Sequence, residues 1–414
     1  MIPDVVRHSL HRCVWQHLPR AWRREALFHV TALTAPRPSA QAKPAPPFLV
    51  VGALRTASGL GESARLCYHA LKASAMQTCG LDITAELMQP IDCPDFRFAD
   101  GRDVEGPGTL ILHVNAPLVP FALSRLGRRR IRDKYIIGYW AWELPNVPSD
   151  WRHGIPFVHE IWVPSAFTAD AVRPMAGGRP VRVIPHPVAV QGASAALRLP
   201  RPDRPFTVLL VFNMASSFAR KNPLASIRAF RRAFGDDPSC RLIVKTVNGR
   251  EFPDGIRSIT DAIGAARNIA VVDRAMTADE IAALYDDSDA VISLHRSEGF
   301  GLTLAEAMLR RVPVVATDWS GNVDFLNVGN ALPIPCRLVP AEDPQGTYHH
   351  PDMMWAEADV DAAADALRRL RRDPELARRL GEAGARDAAR SWSAYGYADA
   401  VRRHLGLQGS GADA

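Results

Sequence analysis

Short apolar runs separated by helix-length segments recur along this chain, and their spacing leaves few folds open. FLVVGAL from Phe48, TLILHV from Thr109, KYIIGYW from Lys134, EIWVPS from Glu160 and VRVIPHPV from Val181 make one series. FTVLLVFN from Phe206, CRLIVKTV from Cys240, NIAVVD from Asn268, AVISLH from Ala290, VPVVAT from Val312 and ALPIPC from Ala331 make a second. Most of these runs are apolar at consecutive positions, the pattern of strands covered on both faces. Such strands, alternating with helices, pair in parallel. Two series predict an α/β protein of two doubly wound domains, with ligands bound beyond the carboxyl ends of the strands. The 414 residues and 47% hydrophobic content suit two domains with a core each. The first domain is expected over 48–190 and the second over 205–385, joined by the polar, proline-rich stretch QGASAALRLPRPDRP from Gln191.

Residues 1–47 differ from the rest: they are rich in Arg and His and end in the linker TAPRPSAQAKPAPP. Val6, Leu10, Val14 and Leu18 lie at helical spacing, with Arg7, His11 and Arg12 off that stripe; Trp22, Ala26 and Val30 extend it beyond Pro19. A basic amphipathic helix of this kind rests on an anionic membrane or packs on its own domain. The sequence leaves both open, along with a disordered tail. The net charge of +6 fits an anionic small ligand or a membrane surface and is too slight for nucleic acid. Six cysteines lie far apart with no C-x-x-C pair, which argues against a zinc site or a redox motif. With no secretory leader, reduced thiols in a cytoplasm are expected. The apolar runs are strand-length, too short to span a bilayer.

The stretch SLHRSEGFGLTLAEAM, Ser293 to Met308, concentrates candidate chemistry. His295 to Glu298 follow a strand and therefore sit on the ligand side of the sheet. Gly299-Phe300-Gly301 lets the backbone approach a ligand closely. A helix follows from Leu302, with Leu304, Ala305, Met308 and Leu309 as its core face, Arg310 and Arg311 in its last turn, and Pro313 as its stop. Glu306 lies off the apolar face. Ionised, it can accept from two neighbouring hydroxyls, as on a ribose, and Glu298 can reach another sugar. Equally, Glu306 can complement the helix N-terminus and Glu298 can be a solvated loop acid, and spacing alone does not separate these readings. Lys221 precedes a second helix, with Asn222 as its expected N-cap and Pro223 at its first position; such a terminus favours anions. Asp287-Ser288-Asp289 mimics a D-x-D metal motif but lies between a helix and a strand start, as a polar turn would. His349-His350 is too isolated to make a site, and no His/Cys/Asp cluster points to a metal.

EGFGLTLAE resembles the E-x7-E motif of the family-4 retaining glycosyltransferases, which have the GT-B fold of two facing Rossmann-like domains. FNMASSFARKNPLASIRAF resembles that family's phosphate-binding segment, and GLGESARLCYHAL its first glycine-rich loop and helix. GYWAWELPNVP, EIWVPSAFTADAV and PVVATDWSGNVDFL resemble a bacterial branch that builds polysaccharides. The likeness runs from about Phe48 to Tyr397. It implies that Glu306 binds the ribose, that Glu298 contacts donor-sugar hydroxyls near the reacting carbon, and that Lys221 neutralises the diphosphate. It implies amide contacts from Gly59 to Gly61 and from Gly299, Phe300 and Gly301, with His295 and Arg220 on the donor side. One departure stands out: the family usually has an arginine five positions before the lysine, and here that place holds Ser216. Arg220 can substitute for it, but leaves the backbone in another direction. The fold also implies a helix around Trp392 to Leu405 crossing back to the first domain, within a terminal segment 386–414.

The first domain should then hold the acceptor. Glu143, after a strand end and with aromatic neighbours Trp140 and Trp142, is the candidate for acceptor contact, since aromatic faces suit sugar rings and a carboxylate suits hydroxyls. His113 and Asn115 are weaker candidates. The expectation is a retaining, metal-independent transferase without a cofactor. It would move a hexose to a saccharide or lipid-linked saccharide, in the cytoplasm or on the inner face of the membrane. The branch suggests GDP-mannose as donor and leaves UDP-sugars open. Its rivals are a nucleotide-sugar epimerase of the same fold and a degenerate homologue that only binds a nucleotide.

Overall fold

The computed structural model describes residues 28–190, 203–348, 350 and 352–407. The expected amphipathic stripe before residue 28 lies outside the described residues, as does most of the stretch from Gln191. After a short helix over 28–34, the first sheet comprises β1 (Phe48–Gly52), β2 (Thr78–Asp82), β3 (Gly108–His113), β4 (Lys134–Tyr139), β5 (Glu160–Val163) and β6 (Val181–Val183). The order is β2-β1-β3-β4-β5-β6 and every pair is parallel. Helices α1 (Gly59–Ala73), α2 (Val119–Leu126) and α3 (Ala166–Val172) follow β1, β3 and β5. All six residues of β3 are buried, as its consecutive apolar pattern requires.

The second sheet holds β7 (Phe206–Val211), β8 (Cys240–Thr246), β9 (Ile269–Asp273), β10 (Ala290–Ser293), β11 (Val314–Thr317) and β12 (Leu332–Ile334), in the parallel order β12-β11-β10-β7-β8-β9. Helices α4 (Pro223–Phe234), α5 (Pro253–Ile263), α6 (Ala278–Asp286) and α7 (Leu302–Leu309) cover it. In each sheet the chain reverses its direction of growth once: between β1 and β3, and between β7 and β10. At such a reversal the loops part and leave a crevice. Gly59, His113, Lys221 and Glu298 all follow or end the strands that flank these two crevices.

Two elements were not expected. β2 (TCGLD) escapes the apolar pattern because it is an edge strand with a polar start and a central glycine. Beyond β12, β13 (Cys336–Pro340) and β14 (Met354–Ala358) form an antiparallel hairpin. Although it belongs by sequence to the second half, Ala341, Tyr348 and Trp355 pack into the core of the first sheet beside Trp140, Trp142 and Trp151.

Local details also differ from the sequence reading. α7 stops at Leu309, so Arg310 is its C-cap and Arg311, at φ +57°, lies beyond it. The stop therefore comes before Pro313, where Gly381 packs so closely on the Arg311 carbonyl that a Cβ would come within 2.3 Å. Asn222 stands at the N-cap position of α4 but its side chain does not cap. It is left-handed (φ +47°) because its amide closes the preceding turn, Phe218–Lys221, on the Phe218 carbonyl. Asp289 of the D-x-D look-alike binds both Arg204 guanidinium nitrogens (2.8 and 2.9 Å) and the Thr207 amide, a structural tie.

The carboxyl end of the chain returns across the cleft as expected. After α8 (Val360–Arg372) and α9 (Pro374–Trp392), α10 (Ala394–Leu405) packs on α1. Tyr397, Ala398, Val401 and Leu405 join Phe48, Val50, Cys67 and Leu71 in one core. Tyr397 donates to the Cys67 sulfur at 3.2 Å, and Arg402 to the Ser74 carbonyl at 2.9 Å. Burial above all pushes the Cys67 thiol up to about 12. Tyr397→Ala should cost about 3–5 kcal/mol by opening this joint. Denaturant unfolding reads the loss; an unchanged midpoint would mean the helix is not integral to the first domain.

Candidate functional site

The loop after β7 builds the cationic half of the site. Ser217, at φ +63°, accepts from the Arg220 amide and starts the single turn that ends in Arg220 and Lys221. The loop after β10 grips that turn: the Arg296 amide donates to the Arg220 carbonyl at 2.7 Å, and its guanidinium to the Ala219 carbonyl at 2.7 Å. Glu298 comes from the same loop. Lys221 Nζ lies 2.5 Å from Glu298 Oε1, and Arg220 Nη1 3.3 Å from Oε2. Both Arg220 and Glu298 are buried. Arg220 also donates to the Ser297 carbonyl (2.8 Å) and to the Ser216 carbonyl (2.9 Å). Its guanidinium thus folds back over the position where an arginine was expected and Ser216 stands.

The charges are set by this packing. Burial alone would push the Glu298 carboxyl up, but Lys221, then Arg220 and His295, hold it at about 2. Burial dominates at Lys221 and lowers its ammonium, although Glu298 opposes the shift. The lysine's loss of solvent offsets part of its attraction to Glu298, so the pair's net contribution to stability is small. The Glu298 amide donates to Ser320 Oγ at 2.8 Å, and its carbonyl accepts from the Gly321 amide at 2.9 Å. Gly321 must be glycine: a Cβ there would lie 2.2 Å from the Gly299 carbonyl oxygen.

The remaining sequence candidates divide by environment. Gly301 adopts φ +102°, open to glycine, and starts α7. The Gly299 carbonyl accepts from Ser165 Oγ at 2.6 Å and from Thr168 Oγ1 at 3.4 Å, so this loop docks on the start of α3 in the first domain. The Phe300 ring turns inward against His186, Phe325 and Trp392 (centroids 4.9, 5.1 and 5.6 Å), which leaves its backbone as the part able to meet a ligand. His295 is fully buried, with Nδ1 3.2 Å from Ser293 Oγ and Nε2 2.9 Å from Asn322 Oδ1; burial keeps it neutral. It braces the loop rather than facing the cleft. The Gly61 amide donates to Ser58 Oγ, and a Cβ on Gly61 would lie 2.4 Å from the Thr56 carbonyl oxygen; Gly59 has open space instead.

Glu306 accepts from Tyr285 Oη at 3.0 Å and is half-buried. Burial first, and the charge of Glu62 on α1 second, push its carboxyl up to about 7. Glu143, from the loop after β4, accepts from Tyr348 Oη at 2.7 Å. A neutral histidine group lies between the two crevices. His113 stacks on Tyr139 at 4.6 Å and pairs with Ser63 Oγ at 2.8 Å; Tyr139 Oη meets His186 Nδ1 at 3.1 Å. Burial drives His113 well below its usual range and His186 down to about 3. His186 and Tyr348 carry no sequence signal beyond their type, since their partners are distant in the chain. Among the described residues, His113 Nε2, Arg220 Nε, Asn222 Nδ2 and Ser297 Oγ are buried without a protein partner. These orphans flank the two crevices, as a polar ligand's site would require.

A family model described as family 4 glycosyltransferase in conflict systems matches residues 165–402. No curated protein sequence matches the chain. Solved structures share its fold at low identity. S. aureus TarM with UDP aligns at 14% identity and TM-score 0.54, over 73% of this chain and 55% of TarM. This chain thus spans about half of that protein. Anabaena HepE with UDP-glucose aligns at 14% and 0.60, over 87% of this chain and 99% of HepE. The lipopolysaccharide outer core galactosyltransferase WaaB aligns at 13% and 0.57, over 87% and 99%.

The depressed Glu298 carboxyl has a stability consequence. Its contribution is present above the unfolded value, near 4.5, and is lost as pH falls through about 2. Glu298→Gln should remove about 1–3 kcal/mol of acid-sensitive stability, discounted for the strained lysine. Unfolding midpoints at pH 5 and pH 2.5 test this: parallel losses in both proteins would refute the assignment.

Proposed function

Because the chain belongs to the family 4 glycosyltransferases in conflict systems, whose model spans more than half of it, we propose that it moves a hexose from a nucleoside diphosphate sugar to a saccharide or lipid-linked saccharide in polysaccharide assembly. The observation that carries this reading is the convergence of Lys221 and Arg220 on Glu298 at the strand reversal of the second sheet, with Glu306 on the helix that follows.

Each residue has a task that its surroundings suit. The diphosphate meets Lys221 and Arg220, two cations that burial leaves poorly hydrated and therefore strongly attracted to an anion. Glu306 accepts the ribose hydroxyls. Glu298, kept ionised, accepts hydroxyls of the donor sugar close to the reacting carbon. In the reaction the bond from the anomeric carbon to the diphosphate oxygen breaks and its electrons stay on the diphosphate. The acceptor oxygen bonds to that carbon from the same face, and its proton passes to the departing phosphate oxygen. Configuration is retained. The cations stabilise the charge that grows on the leaving group, so this chemistry makes no demand on a metal. Glu143 contacts the acceptor. The first domain, 48–190, holds that acceptor and the second, 205–385, the donor.

HepE binds UDP-glucose and TarM binds UDP, so both UDP-sugars and GDP-mannose are donors to be tested here. Among the described residues no helix is long and apolar enough to cross a membrane. Val30 and Leu33, exposed on the helix over 28–34, continue the apolar stripe of the basic amino-terminal segment. A peripheral association with an anionic membrane, where a lipid-linked acceptor resides, fits that arrangement.

A panel of UDP- and GDP-hexoses should include one that raises the melting temperature, and Lys221→Ala should cut turnover of that donor about 100- to 1000-fold while the fold persists. Wild-type turnover in the variant would end the leaving-group assignment. The raised Glu306 carboxyl gives a second prediction. Ribose hydroxyls favour its ionised form, so nucleotide affinity should rise about tenfold from pH 6 to pH 8 as the proton is lost. In Glu306→Gln that part of the slope should vanish, leaving only the nucleotide's own phosphate ionisation. Calorimetry at both pH values reads the difference, and equal slopes would remove Glu306 from the ribose.

A further inference from the structure

The segment between β13 and β14 is built into the site from the side opposite the donor loops. Asp343, which is buried, anchors it. Its carboxylate accepts from Ser217 Oγ at 2.8 Å and from three amides of its own loop: Gln345 (3.2 Å), Thr347 (3.0 Å) and Tyr348 (3.1 Å). Gln345 adds two ties to the cationic turn, accepting from the Phe218 amide at 2.5 Å and donating to the Met214 carbonyl at 3.2 Å. The loop is therefore fastened to the segment that presents Arg220 and Lys221. Its end, Tyr348, is buried and crosses to the first domain. There its hydroxyl donates to Glu143 Oε2 at 2.7 Å and its ring lies 5.3 Å from the Trp142 ring. The same ring stands 5.3 Å from the Arg220 guanidinium carbon.

One side chain thus touches the acid assigned to the acceptor and a cation assigned to the diphosphate. Glu143 is close enough for its charge to be felt at both Arg220 and Lys221. Yet among the described residues no ion pair joins Glu143 to either cation. A free carboxylate at that range would be drawn toward the two cations, whose combined charge the single Glu298 carboxylate only half neutralises. The phenol hydrogen bond and the interposed ring prevent it.

Resting on the donor reading above, we infer that Tyr348 is a positioning residue that holds the Glu143 carboxylate away from Arg220 and Lys221, so that these cations stay available to a nucleoside diphosphate. Glu143 is left facing the acceptor side, and the loop from Asp343 to Tyr348 couples the two halves of the site through one phenol.

The probe is the nucleoside diphosphate itself, UDP or GDP, titrated calorimetrically into the full chain. Tyr348→Phe keeps the ring on Arg220 and deletes only the hydrogen bond. It should weaken nucleotide binding about tenfold with an unchanged melting temperature, because the freed carboxylate competes with the diphosphate. Adding Glu143→Gln to Tyr348→Phe should restore the affinity to within about twofold, since a neutral amide does not compete. A purely structural tyrosine would show no such rescue. Wild-type affinity in Tyr348→Phe, or a loss that Glu143→Gln leaves in place, would overturn the inference. If the wild-type chain bound neither nucleotide, the donor reading itself would fall and the inference with it.

Discussion

A buried carboxylate facing one buried and one half-buried cation cannot be assembled by any one element, and much of the fold around the cleft follows from that requirement. Glu298 arrives from the loop after β10, while Lys221 and Arg220 arrive from the turn after β7. These strands are neighbours only because the sheet reverses its growth between them. The turn itself depends on two left-handed residues, Ser217 and Asn222, and on the Arg296 contacts that pin its carbonyls. Remove any of these and the charges separate, each then costing the full penalty of a lone ion out of water.

The same logic explains which parts were legible in the sequence. Strands covered by their neighbours announce themselves by consecutive apolar residues, so all eleven runs and their parallel pairing could be read in advance. The two glutamates and the lysine were readable because their spacing follows from one strand, one loop and one helix. Position 220 was harder. Its direction is decided by a carbonyl at Ser216, a backbone contact with no side-chain signature. Tyr348 was out of reach altogether, because its partner lies 205 positions earlier and the intervening hairpin has an exposed, mixed pattern. Phe300 and His295 show how a motif leaves side-chain direction open: the Phe300 ring packs on His186 and His295 bonds Asn322.

Neutrality is a second theme of the cleft. The histidines at 113, 186 and 295 are all pushed toward the uncharged form by burial, His186 down to about 3. These three rings therefore add no positive charge to that of Arg220 and Lys221. Glu306, by contrast, is poised to change charge near neutrality. The nucleotide end of the cleft is thus tunable where the diphosphate end is fixed.

The joint between α10 and α1 gives the protein a gauge of its own integrity. With its thiol pushed up to about 12 and capped by Tyr397, Cys67 is inert toward alkylating reagents while the joint is closed. Modification must wait for the carboxyl-terminal helix to lift away. The rate at which a reagent consumes this one sulfur, compared with the more accessible Cys79, Cys93 and Cys336, is therefore a clock for the opening of the strut that ties the end of the chain to its beginning.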